Sequence, residues 1–503
     1  MKIGFDNDKY LKEQTRCILQ RLQSNNGKLY LECGGKLLYD YHASRVLPGF
    51  DPNVKMRVFQ SLKDQIDVII CIYAGDIEHR KIRSDFGITY DTDVFKMIDD
   101  FAQWGLKCNK VVITRFDFQQ GAVHFKKLLE QRGITVYLHK ATQGYPNDVD
   151  LIVSDEGYGA NPYIKTTRPV VLVTAPGPGS GKLATCLSQM YHDWRQGSHS
   201  GYAKFETFPV WNLSIDHPVN IAYESATADI GDKNLIDHFH LAAYGKIAVN
   251  YSRDLEAYPL LKRIMEKITG QSCVYKSPTD MGVNCCAFGI IDDAVIQDAA
   301  KQEIIRRYFH SACDFIQGIG SSETEQRSLE IMQRSNLTEL DRPVVPAARE
   351  ALKRGIEHNK GIDGIVCAAA IQLPDGRIVT GCNSALMHAS TSMILNALKT
   401  LASIGDIDLI SPSVVKSVTS VKRDILLSRG VSINLDEMLI CLAVSAASNS
   451  NAAKALSMLP SLKGSEVHLT HIPSSGDGTG LRKLGLYVTS DPRFPTSNFY
   501  NPV

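Results

Sequence analysis

The residues best suited to chemistry lie between Arg168 and Ser188, RPVVLVTAPGPGSGKLATCLS. An apolar run from Pro169 to Thr174 leads into a turn holding Gly177, Gly179 and Gly181, and Lys182 opens an apolar helical pattern directly after it. Closely spaced glycines let successive main-chain N–H groups face one anion, and a helix N-terminus with an ammonium group adds positive potential at the same spot. Such a segment suits the binding of phosphate. Gly177, Gly179, Ser180, Gly181, Lys182 and Thr185 are therefore the expected cofactor-binding residues. The ligand would be a small phosphorylated molecule or a nucleotide such as ATP, with or without Mg2+. The same residues also fit a plain strand-to-helix turn that lets the helix pack close, with Lys182 solvated.

The segment resembles the Walker A loop of P-loop nucleotide-binding proteins and departs from it at two positions. Pro176 stands where the first glycine belongs. Leu183 stands where Ser or Thr would hold magnesium, which leaves Ser180 and Thr185 as displaced hydroxyls.

Two more polar sets follow apolar runs. Gly34, Gly35, Lys36, Asp40, His42 and Arg45 come after Leu29 to Glu32. Asp76, His79, Arg80, Lys81, Arg83, Asp85, Tyr90 and Asp91 come after Val68 to Tyr73, and a third such end carries Thr114, Arg115 and Asp117. Ligands of open parallel sheets gather beyond the carboxyl ends of the strands. Lys36, His42, Arg45, Asp76, Arg80 and Arg83 are thus the candidate catalytic residues, the four basic ones orienting an anionic substrate. Interspersed aspartates make a salt-bridged surface an equal reading, and a lone His42 fits a structural role slightly better. If the protein is an enzyme, phosphoryl transfer or ligation would proceed by electrostatic stabilisation more than by a covalent nucleophile. The rival is a noncatalytic metabolite-binding or assembly protein, and turnover separates the two.

Elsewhere the signals are weaker. Lys276, Ser277, Thr279, Asp280 and Asn284 could close over a ligand but read more simply as caps and turns. Asp237, His238 and His240 lack a spaced third ligand and no Cys-x-x-Cys pair exists, so no metal site and no zinc are expected.

The elements that must position these residues follow from periodicity. Leu29 to Glu32, Val68 to Tyr73, Lys110 to Thr114, Ile134 to Leu138, Leu151 to Val153 and Pro169 to Thr174 read as buried strands. Helical patterns at Tyr10 to Gln23, Asp93 to Trp104 and Gly121 to Gln131 alternate with them. Residues 1–220 are therefore predicted to form an α/β domain, doubly wound around a mainly parallel sheet. Residues 221–345 read as a mainly helical middle region, with helices at Asp254 to Thr269, Asp292 to Phe315 and Ser322 to Arg334 and a hairpin-like Cys273 to Gly289. Residues 346–503 read as a mixed α/β subdomain. It has a hairpin about Pro374-Asp375-Gly376, helices at Thr391 to Ile404 and around Asp436 to Met458, and a second hairpin in which Ser465 to Ile472 and Leu481 to Thr489 embrace SSGDGTG.

Composition sets outer bounds. At about 150 residues per domain, 503 residues suggest roughly three folded units. The chain is 44% hydrophobic and 22% charged, an ordinary globular balance. Fifty-five Lys and Arg against 54 Asp and Glu give a net charge of +1, which argues against a nucleic-acid or anionic-membrane partner. Twelve scattered cysteines, a charged N-terminus and no long apolar run point to a reduced cytoplasmic protein. A homodimer is one assembly open to a chain of this size.

Hairpin, then His388-Ala389-Ser390, then helix resembles the opening of the cytidine-deaminase fold over residues 361–489. Active relatives carry His-Ala-Glu there and a Pro-Cys-x-x-Cys turn for zinc. With Ser390 in place of the glutamate and no such cysteines, the resemblance implies the scaffold without zinc deamination. Over nearly its whole length, through FDNDKY, GGKLLYDYHASRVLPGFDP, APGPGSGKLAT and YKSPTDMGVN, the chain is similar to a bacterial family of equally long proteins described as a domain of unknown function. That resemblance implies shared architecture, a cytoplasmic bacterial setting and a deaminase-like C-terminal subdomain, but no reaction and no catalytic residue.

Overall fold

The computed structural model describes residues 2–25, 27–83, 87–428 and 430–496. The chain forms two compact units, Lys2–Ala300 and Lys301–Val503.

The first unit is built on a seven-stranded, wholly parallel sheet. In chain order its strands are β1 (Leu29–Cys33), β2 (Ile66–Tyr73), β3 (Lys110–Thr114), β4 (Thr135–Leu138), β5 (Val170–Thr174), β6 (Gly201–Phe205) and β7 (Gly282–Val283). Across the sheet they run β7-β6-β1-β5-β2-β3-β4. Strands covered on both faces must be apolar throughout, and all five residues of β5 are buried. Ile69 and Cys71 of β2 and Val171 and Val173 of β5 join one core cluster with Cys186, Leu187 and Met190 of the helix Lys182–Arg195 and Leu261 and Met265 of the helix Ser252–Thr269. Their neighbours Val68, Ile70 and Leu172 are buried as well.

This topology has points where successive connections diverge. The chain leaves β2 through the helix Tyr90–Gln103 toward β3, and leaves β5 through Lys182–Arg195 toward β6, on the other side. Departures in opposite directions from adjacent strands open a crevice at the carboxyl ends of β5 and β2. The adjacent pair β1 and β6 diverges in the same way, so the sheet has a second crevice two strands along.

Two expectations are corrected and one strand is added. Leu151 to Val153 is not a strand: it falls in the short helix Val149–Ile152, because the Asp148 carboxylate caps the Leu151 N–H. Cys273 to Gly289 is not a hairpin, since Ser277 caps the turn of helix Pro278–Met281 and the chain then pairs in parallel with β6. The strand β6, GYAKF, has no β-branched residue and went unpredicted.

The second unit carries a four-stranded mixed sheet in the order β9-β8-β10-β11, with β8 Ala368–Gln372, β9 Ile378–Cys382, β10 Glu466–Leu469 and β11 Tyr487–Ser490. The hairpin expected about Pro374-Asp375-Gly376 is present as the antiparallel pair β8 and β9. The second expected hairpin is corrected, because β10 and β11 are parallel and joined by the helix Ser475–Lys483. Ser474 caps that helix by accepting from the Asp477 N–H, so a turn-like composition folds as a crossover. The single helix expected over Asp436 to Met458 is two, Leu435–Ala446 and Ser450–Ser457.

Candidate functional site

The glycine turn spans residues 175–181 at the carboxyl end of β5 and is held by its neighbours. The Thr114 hydroxyl, at the end of β3, donates to Ser180 O at 2.9 Å, and the Ser180 hydroxyl donates back to Gly177 O at 2.8 Å. The Arg115 guanidinium donates to Gly179 O while lying 3.4 Å from the centre of the Tyr73 ring, at the end of β2. A Cβ on Gly177 would stand 2.3 Å from the Tyr90 hydroxyl. Gly179 and Gly181 have φ of +71° and +83°, in the left-handed region where glycine carries no side-chain penalty.

This shape leaves a run of donors unused. Among the described residues, the main-chain N–H groups of Gly179, Ser180, Gly181, Lys182, Leu183 and Ala184 make no hydrogen bond. Thr185 is the first to do so, donating to Gly181 O at 3.0 Å. Lys182 is partly buried, has no ion-pair partner among the described residues, and its charge reaches the thiols of Cys33 and Cys71 at the ends of β1 and β2. Unbonded amides at a helix start together with an uncompensated ammonium make the turn electropositive. Thr185 is fully buried and its hydroxyl also donates to Gly181 O, so it is turned away from the turn's open side.

The candidate catalytic residues divide. Asp76 and Lys81 pair at 3.5 Å, and the Lys81 ammonium stands 5.1 Å from the centre of the same Tyr90 ring that borders Gly177, so this pair edges the turn. Arg83 is committed to the buried Asp93 at 2.5 Å, and Arg80 is exposed at a φ of +50°. Lys36 offers its carbonyl to the Lys55 ammonium, which also pairs with Asp40 at 2.6 Å in a fully buried contact. Despite burial, Asp40 holds the Lys55 charge in place, and Lys55 keeps the Asp40 carboxyl below its usual range. His42 is buried between the edges of Phe208 and Tyr223, both 5.5 Å away, and Arg45 sits in the last turn of the helix Tyr41–Val46. Asp85 lies outside the described residues.

A second cluster, which the sequence did not reveal, occupies the β1 and β6 crevice. Lys204 pairs with Glu206 at 2.7 Å and with Asp254, and the Tyr202 hydroxyl donates to Glu32 at 2.8 Å. Three carboxylates surround one ammonium, so burial and the Asp254 charge push Glu206 up to about 7 even though Lys204 pulls it down. Gly34 and Gly282 flank the Glu206 side chain; a Cβ would stand 3.5 Å and 3.0 Å from it respectively.

In the second unit His388 immediately precedes the helix Ala389–Leu401, and its Nδ1 lies 2.7 Å from Asp477, which also accepts from Ser474 and the Leu435 N–H. Among the described residues, the Ser390 hydroxyl and His471 Nδ1 are buried without hydrogen-bond partners. Among the described residues no group of three or more His, Cys, Asp or Glu could hold a metal ion, and no helix is long and apolar enough to cross a membrane.

These features define an α/β protein with two divergence crevices on one parallel sheet, a glycine turn at one and a buried acid–base cluster at the other, joined in one chain to a smaller mixed-sheet unit. Its sequence places it in a family. Residues 3–336 match the family described as domain of unknown function DUF1846, N-terminal, and residues 340–500 match its C-terminal counterpart. The chain is 55% identical over 504 residues to a UPF0371 protein of Fusobacterium nucleatum, covering 99% of each. It is 53% identical to UPF0371 proteins of Clostridium botulinum strain Alaska E43 and Clostridium tetani, again over 99% of each chain. The chain belongs to this DUF1846 (UPF0371) family of bacterial proteins.

Proposed function

We propose that the protein binds a phosphorylated small molecule, a nucleotide or a phosphorylated metabolite, on the turn Gly177–Thr185. The single observation that supports this reading is the run of unbonded main-chain N–H groups from Gly179 to Ala184 beside a lysine without an ion-pair partner. Lys182 neutralises phosphate oxygen, and Arg115, carried on the Tyr73 ring, sets the turn's rim. Transfer or ligation is the next step of the proposal, with the Glu206 carboxyl in the second crevice as a group suited to move a proton near neutral pH. Magnesium-dependent hydrolysis of the Walker type is the less favoured chemistry, because Leu183 offers no hydroxyl and that of Thr185 is buried. The C-terminal unit is read as a deaminase-like scaffold in which Ser390 and Asp477 have displaced the zinc chemistry.

Calorimetric titration of ATP, GTP, pyrophosphate and inorganic phosphate into the wild-type protein and Lys182→Ala tests the proposal. A charge-assisted hydrogen bond contributes about 1.5–3 kcal/mol, so the variant should bind roughly 10- to 150-fold more weakly with its stability unchanged. If no phosphate compound binds, or if Lys182→Ala binds one equally well, the proposal is wrong.

A further inference from the structure

Eleven of the twelve cysteines have thiols held above their ordinary range, mostly by burial, as at Cys33 and Cys367 (each about 11) and Cys71, Cys108 and Cys286 (each about 12). Cys17, on the helix Asn7–Ser24, is the exception. It is only partly buried, and its sulfur lies 2.9 Å from that of Cys285, just past β7.

We infer that Cys17 and Cys285 are a redox-active dithiol, a modification site at which a hydroperoxide drives reversible disulfide formation. Three observations carry this. First, the sulfurs need to close by only about 0.9 Å to reach the S–S bond length of about 2.05 Å. Second, their separation is fixed by a buried clamp rather than by chance contact. The side-chain amide of Gln14, almost one helical turn before Cys17, donates to Val283 O at 2.8 Å and accepts from the Cys285 N–H at 2.9 Å. Third, the neighbourhood favours a thiolate on Cys17 alone. The Cys285 thiol donates to it, and Arg16 and Arg21 add positive charge against the single Glu13, bringing Cys17 down to about 7. The same contact holds Cys285 protonated as the resolving thiol.

The chemistry balances. The Cys17 thiolate attacks the peroxide, an S–O bond forms as the O–O bond breaks, and the departing alkoxide or hydroxide takes up a proton. Cys285 then displaces hydroxide from the Cys17 sulfenic acid, giving up its proton to form water as the S–S bond closes. Two thiols and one hydroperoxide give one disulfide, one alcohol or water, and one water. A dithiol reverses the reaction by exchange. The lowered Cys17 thiol carries more thiolate near neutral pH than an ordinary cysteine, which sets it apart from the buried cysteines.

The full chain is treated with hydrogen peroxide, alkylated, digested and read by mass spectrometry. The expected product is a peptide pair linking Cys17 to Cys285, two hydrogens lighter than the free peptides and lost on adding dithiothreitol. Cys285→Ser should instead accumulate Cys17 sulfenic acid, trapped by dimedone at least fivefold above wild type, whereas Cys17→Ser should give neither product. No linked peptide in the wild-type protein, or equal dimedone labelling of Cys17 with and without Cys285, overturns the inference. The wild-type cross-link decides the matter even if a serine variant fails to fold.

Discussion

Alanine at two neighbouring glycines separates backbone strain from steric fit in the phosphate turn. Gly179 and Gly181 share a left-handed backbone, so alanine at either costs about 1–2 kcal/mol for conformation alone. At Gly179 a Cβ meets nothing within 4 Å. At Gly181 it falls 2.9 Å from the Thr114 Cβ, Cγ2 and Oγ1, and Thr114 cannot swing aside because it is buried with its hydroxyl committed to Ser180 O. Overpacking of that kind adds about 1–3 kcal/mol. A unit of roughly 300 residues unfolds with an entropy of about 0.6 kcal/mol/K, so Gly179→Ala should lower Tm by about 2 °C and Gly181→Ala by about 5 °C. All three tryptophans, Trp104, Trp194 and Trp211, lie in the first unit, so tryptophan fluorescence during heating follows that unit. Adding Thr114→Ala should recover part of the Gly181→Ala loss and none of the Gly179→Ala loss. Equal shifts for the two single variants would refute the packing described for the turn, and with it the placement of the unbonded amides.

Further outcomes follow from buried charge. The Glu206 carboxyl is raised in the folded protein, so the stability it contributes is present below about pH 4.5 and lost as pH rises through about 7. Glu206→Gln should therefore gain on wild type across that window by roughly 1.4 kcal/mol per pH unit, measured by urea unfolding; a pH-independent difference contradicts the cluster's electrostatics. His139 and His471 are buried and lowered to about 4, so each withholds stability as pH falls from about 6.5 to 4, by roughly 3 kcal/mol in total per histidine. His139→Gln and His471→Gln should flatten that slope, and an unchanged slope would show that other groups govern it. In the second unit the fully buried Arg342 pairs with Glu466 at 2.5 Å and donates to Val467 O and Tyr487 O, stitching β10 to β11. Arg342→Met should destabilise by about 3–5 kcal/mol in chemical unfolding; a loss below about 1 kcal/mol would mean Arg306 alone satisfies Glu466.

How much could be read in advance depended on whether the signal was local. Strands rich in Val and Ile, such as β2 and β5, are evident because a strand covered on both faces must be apolar throughout, and Ser322–Arg334 is bounded by its own Ser321 cap. Short segments were misread where one cap outweighs composition, as at Asp148 and Ser474. The glycine turn was legible because its residues are contiguous. The Glu32, Lys204, Glu206 and Asp254 cluster was not, because three separate segments supply it and Lys204 and Asp254 stand 50 residues apart. Asp477 escaped notice for the same reason, 89 residues from the His388 it orients.

The central place of β1 also bears on how the chain emerges from the ribosome. Leu29 has Val170 and Gly201 as its sheet partners, so this oily segment is made more than 140 residues before either neighbour exists. At about 5–20 residues per second that delay is roughly 7–30 s, while β2 and β3 can already dock. The first strand synthesised must thus wait for β5 before it can join the sheet, and nascent-chain truncations ending before residue 170 should hold it open to protease and chaperone.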